Sequence, residues 1–211
     1  MGGKNAEASL ITTAAEWRLI SLLLQRPRPG WLEEVGALAR EVRDERLCAA
    51  AAAACDATEG AYLRLIGPGG AVSPREVASQ PFQDPGHLLA QLATTYGAFA
   101  FHPRVEDPID HVAVEADFVG YLFLKEAFAS ARGDAEAAAT TAAARSSFIE
   151  SHLAILAATL ARRLQSAGTS YLLPTAQLLA ARVPACQPVP LPPAAGGALD
   201  VCGACGIDTA D

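Results

Sequence analysis

Several features that would assign a function directly are missing from this 211-residue sequence. No cluster of lysine and arginine resembles a nucleic-acid footprint, and the formal net charge is −7, so DNA or RNA is not an expected partner. No uncharged run approaches the ~20 residues that cross a bilayer, which argues against stable membrane insertion. The amino terminus, MGGKNAEASL, lacks the pattern of a signal peptide. We therefore expect a cytoplasmic protein.

Recognisable catalytic motifs are also missing. The sequence has no G-x-S-x-G and no H-E-x-x-H, and no histidine is spaced near a cysteine as a nucleophile–base pair would suggest. The run GPGG at 67–70 is not a phosphate-binding loop, because no Lys-Ser or Lys-Thr follows it and no strand pattern precedes it. We expect that the protein is not an enzyme.

Alanine dominates what is present, and β-branched residues are sparse outside short stretches. Because alanine has the highest intrinsic helix propensity, the composition favours an all-α protein. We predict a single helical-bundle domain over 1–183. Apolar periodicity, the caps Asp84 and Asp134 and breakers such as Gly168 predict helices at 9–25, 31–57 (as one helix or two), 62–66, 85–99, 110–131, 134–165 with a break near Arg145, and 171–182.

Two segments rich in proline and glycine interrupt or follow the predicted helices. The first, near 67–85, is the best candidate for a linker within the bundle. The second, 184–211, changes to proline, alanine and glycine, and we expect a flexible, disordered tail there. Helix exchange across the 67–85 linker would give a domain-swapped dimer, so both a monomer and such a dimer remain open.

The five cysteines are expected to be reduced thiols or metal ligands in a cytoplasmic protein. Cys48 and Cys55 are seven residues apart and are expected to share a buried helical face. In the tail, Cys202 and Cys205 form a C-x-x-C that can chelate a soft metal or act as a dithiol. This pair supplies half of a tetrahedral zinc site, which Cys186 or a second tail could extend. We expect no cofactor, with zinc at Cys202 and Cys205 as the alternative.

The most informative segment is EDPIDHVAVEADFVGYL, at 106–122, where carboxylates and one histidine open directly into an apolar helix. Such a segment can offer both negative charge and apolar surface to a cationic peptide. The pattern therefore indicates recognition of a polypeptide rather than turnover of a small molecule. Its acids, which precede the next base Lys125, are Glu106, Asp107, Asp110, Glu115 and Asp117.

On a helix that starts near Pro108, His111 and Glu115 are four residues apart and can hydrogen-bond. We expect charge at the mouth of a groove and apolar side chains along its floor. An alternative is that Asp110 only caps the helix. The stripe formed by Leu88, Leu92, Tyr96 and Phe99 is expected to face the core, and its two aromatics could also line the groove. The candidate peptide-binding residues are Asp110, His111, Glu115, Asp117, Phe118, Tyr96 and Phe99.

Pro108, Asp110 and His111 resemble the P-x-D-H signature of the TorD/DmsD/NarJ chaperones, which mature bacterial molybdenum oxidoreductases. The continuation to 122 resembles that family's H-x-x-x-E-x-x-F, and LIGPGGAVSPREVAS (65–79) is similar to its proline-rich link. Phe148, His152 and Leu153 resemble its F-x-x-x-H-L helix; we expect Phe148 and His152 to pack together. The resemblance runs from about residue 10 to 183. The aromatic that often follows H-L is absent, and the tail cysteines are not general to the family.

The resemblance implies a TorD-like all-α chaperone. Its partner would be the apo catalytic subunit of a molybdenum oxidoreductase, held by its twin-arginine leader or its N-terminus during cofactor insertion and assembly, before export. The complementary layout of such a leader, two arginines followed by an apolar stretch, suits carboxylates beside an apolar surface. Two alternatives remain: a metal- or thiol-handling protein that acts through Cys202 and Cys205, and a helical scaffold with neither activity.

Overall fold

The computed structural model describes residues 2–103, 107–167 and 170–185. Within these ranges the chain is all-α, as predicted, and it contains one isolated β-bridge but no strand. None of the described helices is long and apolar enough to cross a membrane. The α-helices are α1 (Gly2–Leu23), α2 (Trp31–Ala39), α3 (Glu45–Ala53), α4 (Glu59–Ile66), α5 (Pro85–Ala98), α6 (Val112–Ala131), α7 (Ala135–Phe148), α8 (Ala154–Ala167) and α9 (Leu172–Ala180).

The antiparallel pair of α1 and α6 forms the centre of the bundle. The Ser21 hydroxyl donates to the Ala113 carbonyl at one end, and Arg18 pairs with Asp117 one turn further along. A Cβ placed at Gly120 would lie only 3.3 Å from the Ala14 carbonyl oxygen, so glycine permits this close approach of the two backbones. Nearly every side chain in the first three turns of α6 is buried, which places the helical part of the 106–122 segment inside the protein.

Local signals set many helix boundaries. Asp84 and Asp134 cap α5 and α7 by accepting from backbone N–H groups, as the sequence predicts. Gly133 has a φ of 74° and follows α6 in the conformation that favours glycine. The predicted 31–57 segment is two helices, with Asp44 capping the second. The first helix begins at Gly2 rather than Ser9, and no proline interrupts the added residues.

The predicted core stripe on α5 is confirmed: Leu88, Leu92 and Tyr96 are buried, and Phe99 is half-buried against the core. The expectation for Cys55 is wrong, because the helix tightens to a 3₁₀ turn at Ala54–Asp56 and leaves its side chain exposed. Cys48 is half-buried, and its thiol lies 3.6 Å from the carbonyls of Ala39 and Val42.

The connection between α4 and α5, which was predicted as a linker, packs against the start of α6. Val72 and Glu76 are buried, and the Val112 N–H donates to the Pro74 carbonyl. An isolated bridge joins Arg75 to His111. This packing brings the Gly/Pro-rich connection and the acidic segment together.

A π-helical stretch, Ile149–Leu153, joins α7 to α8. A break in the helix was predicted near Arg145. The chain instead stays helical, and in this stretch its backbone hydrogen bonds join residues five apart rather than four. His152 lies within the stretch, and its ring packs on Phe148 with centroids 4.8 Å apart, as expected. The predicted helix stop at Gly168 and the cysteine-bearing tail from 186 onward lie outside the described residues.

Candidate functional site

His111, rather than Asp110, caps α6. Its backbone is extended and its Nδ1 accepts the Ala113 N–H at 3.1 Å. Because Nδ1 is an acceptor, the neutral ring carries its proton on Nε2, which lies 3.4 Å from the Tyr62 hydroxyl. That hydroxyl donates to the Leu24 carbonyl at 3.0 Å. Burial lowers the pKa of His111, so this neutral tautomer is the form that fits the site.

Asp110 is fully buried and bound within the protein. The Arg75 guanidinium donates to it through Nε at 2.8 Å and pairs through Nη2 at 2.7 Å. Its own carbonyl accepts the Glu76 N–H. The expectation of an exposed carboxylate at a groove mouth is therefore wrong for Asp110, which instead fastens the connection to α6.

Glu115 is also fully buried and faces another carboxyl group. The predicted hydrogen bond between His111 and Glu115 is absent, since the histidine points to Tyr62 and neither Glu115 oxygen accepts a hydrogen bond. Burial, followed by the charge of Glu76, raises the pKa of Glu115 well above its usual value. We therefore assign Glu115 as protonated, a form that can donate to Glu76.

Glu76 also connects Glu115 to His152, which lies in the segment that resembles the family's F-x-x-x-H-L helix. Its carboxylate accepts from the Gln80 amide, and both of its oxygens lie 3.1 Å from Nδ1 of His152. Glu76 and Glu115 are 0% exposed, whereas the His152 side chain keeps 12%. We name Glu76, Glu115 and His152 the carboxyl cluster.

The remaining predicted peptide-binding residues are also engaged internally. Asp117 lies 2.6 Å from an Arg18 nitrogen in a partly exposed ion pair. Phe118 is fully buried in an aromatic cluster, with its ring 4.7 Å from Tyr96 and 4.8 Å from Phe148. The Tyr96 hydroxyl donates to a backbone carbonyl, and burial raises its pKa. Phe99 lies at the edge, with the Lys125 amine 5.5 Å from its ring.

A cavity of about 790 Å³ opens beside His111. We name it the His111 cavity. Among the predicted site residues, only His111 lines it. Sequence reasoning did not select lining residues such as Gln25 and Tyr62, because they belong to no motif. The lining comes from 25–26, Arg28, 62–63, 66–70, 73–75, 107–108 and His111.

Three arginines border the His111 cavity, and each lies near its own carboxylate. The pairs are Arg26–Glu59 at 3.6 Å, Arg28–Glu34 at 2.7 Å and Arg75–Asp110 at 2.7 Å. Asp107 also lines the cavity and forms no ion pair with a described residue. The charged lining therefore retains one carboxylate that the described arginines do not neutralise.

A second cavity, of about 590 Å³, lies between α5 and the π-helical stretch. Polar side chains line it, among them Gln83, His87, Gln91 and His152. Of the carboxyl cluster, His152 lines the second cavity, and neither Glu76 nor Glu115 lines either of the two cavities described. No group of three or more histidine, cysteine or acidic side chains among the described residues could hold a metal ion. The predicted ligands Cys202 and Cys205 lie outside that part of the chain.

Comparisons with protein-family models, with curated proteins and with solved structures give no significant match to this chain.

Proposed function

We propose that this protein is a chaperone of the TorD/DmsD/NarJ type. It would hold the leader or N-terminus of a molybdopterin oxidoreductase subunit, and assist cofactor insertion and assembly before export. The polypeptide would bind in the His111 cavity.

The observation that carries this proposal is that the three segments with the family resemblance contact one another. Arg75, in the 65–79 segment, pairs with Asp110 of the P-x-D-H motif. Glu76, the next residue, pairs with His152 of the F-x-x-x-H-L helix. Motifs that are far apart in the chain thus build one structural unit. Such mutual dependence supports reading them as parts of one site rather than as three chance matches.

The cavity provides the second support. Two of the three segments form its walls: the glycine-proline run on one side, and Asp107, Pro108 and His111 on another. Its volume lies within the range of small-ligand pockets, so it suits a few side chains of a bound segment rather than a whole folded client. The net charge of −7 favours a basic segment over an acidic one.

Peptide binding tests the proposal. A labelled peptide with two adjacent arginines followed by an apolar run is titrated with the full chain, and its fluorescence anisotropy gives the affinity. We expect saturable binding that weakens as salt rises, because part of the attraction is electrostatic. A scrambled peptide of the same composition should bind more weakly.

A matched pair of variants locates the binding. Pro68→Trp places a large side chain at the wall of the His111 cavity, whereas Pro81→Trp alters an exposed proline of the same connection away from it. We expect Pro68→Trp to weaken binding about tenfold or more and Pro81→Trp to leave it unchanged, with equal thermal midpoints. No binding by the unaltered protein would contradict the proposed function, and equal binding by both variants would contradict the cavity assignment.

A further inference from the structure

One edge of the His152 ring is fixed in the interior, and the other is accessible at the second cavity. Nδ1 lies 3.1 Å from both oxygens of Glu76, whose side chain is 0% exposed. Nε2 bonds to no described residue and is not enclosed by protein atoms. Because His152 lines the second cavity and only 12% of its side chain is exposed, this accessible edge is the part that meets the cavity.

The partners of Glu76 decide which nitrogen of His152 carries the proton. The Glu76 carboxylate accepts from the Gln80 amide and from the protonated Glu115, so it faces His152 as an acceptor. Nδ1 must then donate, and in the neutral ring Nε2 keeps its lone pair. Metal-binding imidazoles usually have this arrangement, because a carboxylate at the second nitrogen orients the ring and strengthens it as a ligand.

A second imidazole lines the same cavity from α5. His87 is exposed, and its ring forms no hydrogen bond with a described residue. Gln91 and Thr94 follow it at four and seven residues, so all three belong to one face of the helix. The two elements that build the cavity, α5 and the π-helical stretch, therefore contribute one histidine each. Single π-helical turns are frequent at functional sites.

The other lining groups narrow the class of ligand. They are amides, hydroxyls and one alanine, and the described lining contains no lysine or arginine. An anion would therefore meet the buried Glu76 carboxylate behind His152 with no cation in the lining to offset the repulsion. Two imidazoles backed by a carboxylate instead suit a late first-row divalent ion such as Zn²⁺, for which imidazole nitrogen is a preferred ligand.

We propose that the second cavity binds a divalent transition-metal ion, with Zn²⁺ as its representative, through Nε2 of His152 and the imidazole of His87. Water and the amide oxygens of the lining complete the coordination. Two protein nitrogens are fewer than the three protein ligands of catalytic zinc sites and the four of structural sites, so the ion exchanges with solution. The proposal does not rest on the proposed function, because the two cavities share no lining residue.

Isothermal titration calorimetry with ZnCl₂ tests the site in the full chain. Thiols that would compete for zinc are first replaced by serine, namely the exposed thiol of the described bundle and those of the tail. This parent protein carries Cys55→Ser, Cys186→Ser, Cys202→Ser and Cys205→Ser. We expect it to bind one Zn²⁺ per chain.

Three asparagine variants of the parent protein locate the ion. His152→Asn removes Nε2 but keeps a side-chain N–H that can donate to Glu76. His87→Asn changes an exposed side chain, so its folding is not in question. Each should weaken zinc binding about tenfold or more. His102→Asn, which alters an exposed histidine that lines neither described cavity, should leave the affinity unchanged.

Several outcomes would overturn the proposal. They are the absence of zinc binding by the parent protein, unchanged binding by His87→Asn, and an equal loss of binding by His102→Asn. The thermal midpoint of each variant, measured by circular dichroism, shows whether it is folded, and His87→Asn decides the result if His152→Asn unfolds. None of these outcomes bears on peptide binding in the His111 cavity, so the proposed function is tested separately.

Discussion

The carboxyl cluster and the His111 cavity are adjacent, because Arg75 lines the cavity and the next residue, Glu76, belongs to the cluster. They differ in how fully their polar side chains are paired within the protein. In the cluster, Glu76 and Glu115 are excluded from water, and Glu76 has several partners within the protein. In the cavity, Asp107 forms no ion pair with a described residue. The difference teaches that Asp110 and Glu115, two of the conspicuous acids of the 106–122 segment, lie in the protein interior and not at the wall of the cavity.

Among the variants that test this comparison, Asp110→Ala is expected to lower the free energy of unfolding most. It would leave the Arg75 guanidinium without its partner and would release the connection from α6. Removal of one partner from a buried ion pair typically costs 3–5 kcal/mol, and because Arg75 is partly exposed we expect about 2–4 kcal/mol. The thermal midpoint should fall by roughly 5–15 °C, measured by circular dichroism.

Asp117→Ala serves as the matched control for that variant. Its ion pair with Arg18 is partly exposed, so we expect a loss of about 1 kcal/mol or less. Equal midpoints for the two variants would show that Asp110 does not fasten the connection.

The next largest effect is on how the free energy of unfolding depends on pH, and it comes from the carboxyl cluster. The pKa of Glu115 is raised by burial and by Glu76, so its contribution to stability is present below about pH 4.5 and is lost as pH rises toward the folded-state pKa. Glu115→Gln keeps the shape of the protonated acid and cannot ionise. We expect it to stabilise the protein by about 1–2 kcal/mol at pH 8 and by little at pH 5.

Denaturant unfolding at both pH values measures this difference. Glu136→Gln, which alters an exposed acid on α7, should change stability by the same small amount at each pH. A Glu115→Gln variant that loses stability at pH 8 would mean that the ionised carboxylate, not the protonated acid, is the native form.

A smaller effect of opposite sign is expected from His111. Its pKa is lowered by burial, so the folded protein favours the neutral ring, and stability is lost as pH falls below about 6.5. His111→Asn can still accept the Ala113 N–H, because asparagine is a good N-cap, but it does not titrate. We expect its unfolding free energy to change less between pH 7 and pH 5 than that of the unaltered protein. The exposed His87→Asn should follow the unaltered protein, and identical slopes for all three would exclude His111 as the source.

The smallest expected effect comes from truncation after Val183. The described bundle closes before this point, since Arg182 pairs with Glu16 and Asp44. We expect the unfolding free energy to change by about 0.5 kcal/mol or less and the paired-arginine peptide to bind as before. The metal content of full-length protein purified without chelator completes the test. Stoichiometric metal, together with peptide binding that disappears on truncation, would favour the metal- or thiol-handling alternative through Cys202 and Cys205.

The sequence predicted the features that depend on neighbouring residues. The apolar stripe on α5 and the caps at Asp84 and Asp134 are local, and each is present in the structure. The placement of the candidate site could not be predicted in the same way. Asp110 finds its partner 35 residues away in an irregular segment, and Glu76 finds His152 at a separation of 76 residues. Periodicity carries no information about such contacts.

Gln25 illustrates the same limit, because it lines the His111 cavity and no sequence pattern singles it out. Its position after the first helix gives no functional signal, because a glutamine near a helix end is ordinarily solvated. Only its burial and its place in the cavity lining distinguish it. Sequence reasoning selected the start of α6, and most of the side chains that it selected there are buried in the interior.

Hydrogen–deuterium exchange with and without the paired-arginine peptide tests most directly whether the His111 cavity is the binding site. The comparison measures protection of backbone amides along the whole chain at saturating peptide. The account predicts new protection in 62–75 and 107–111, and no change in 83–95 and 151–152, which border the second cavity. Protection confined to the second cavity, or to helices that border neither cavity, would contradict the account.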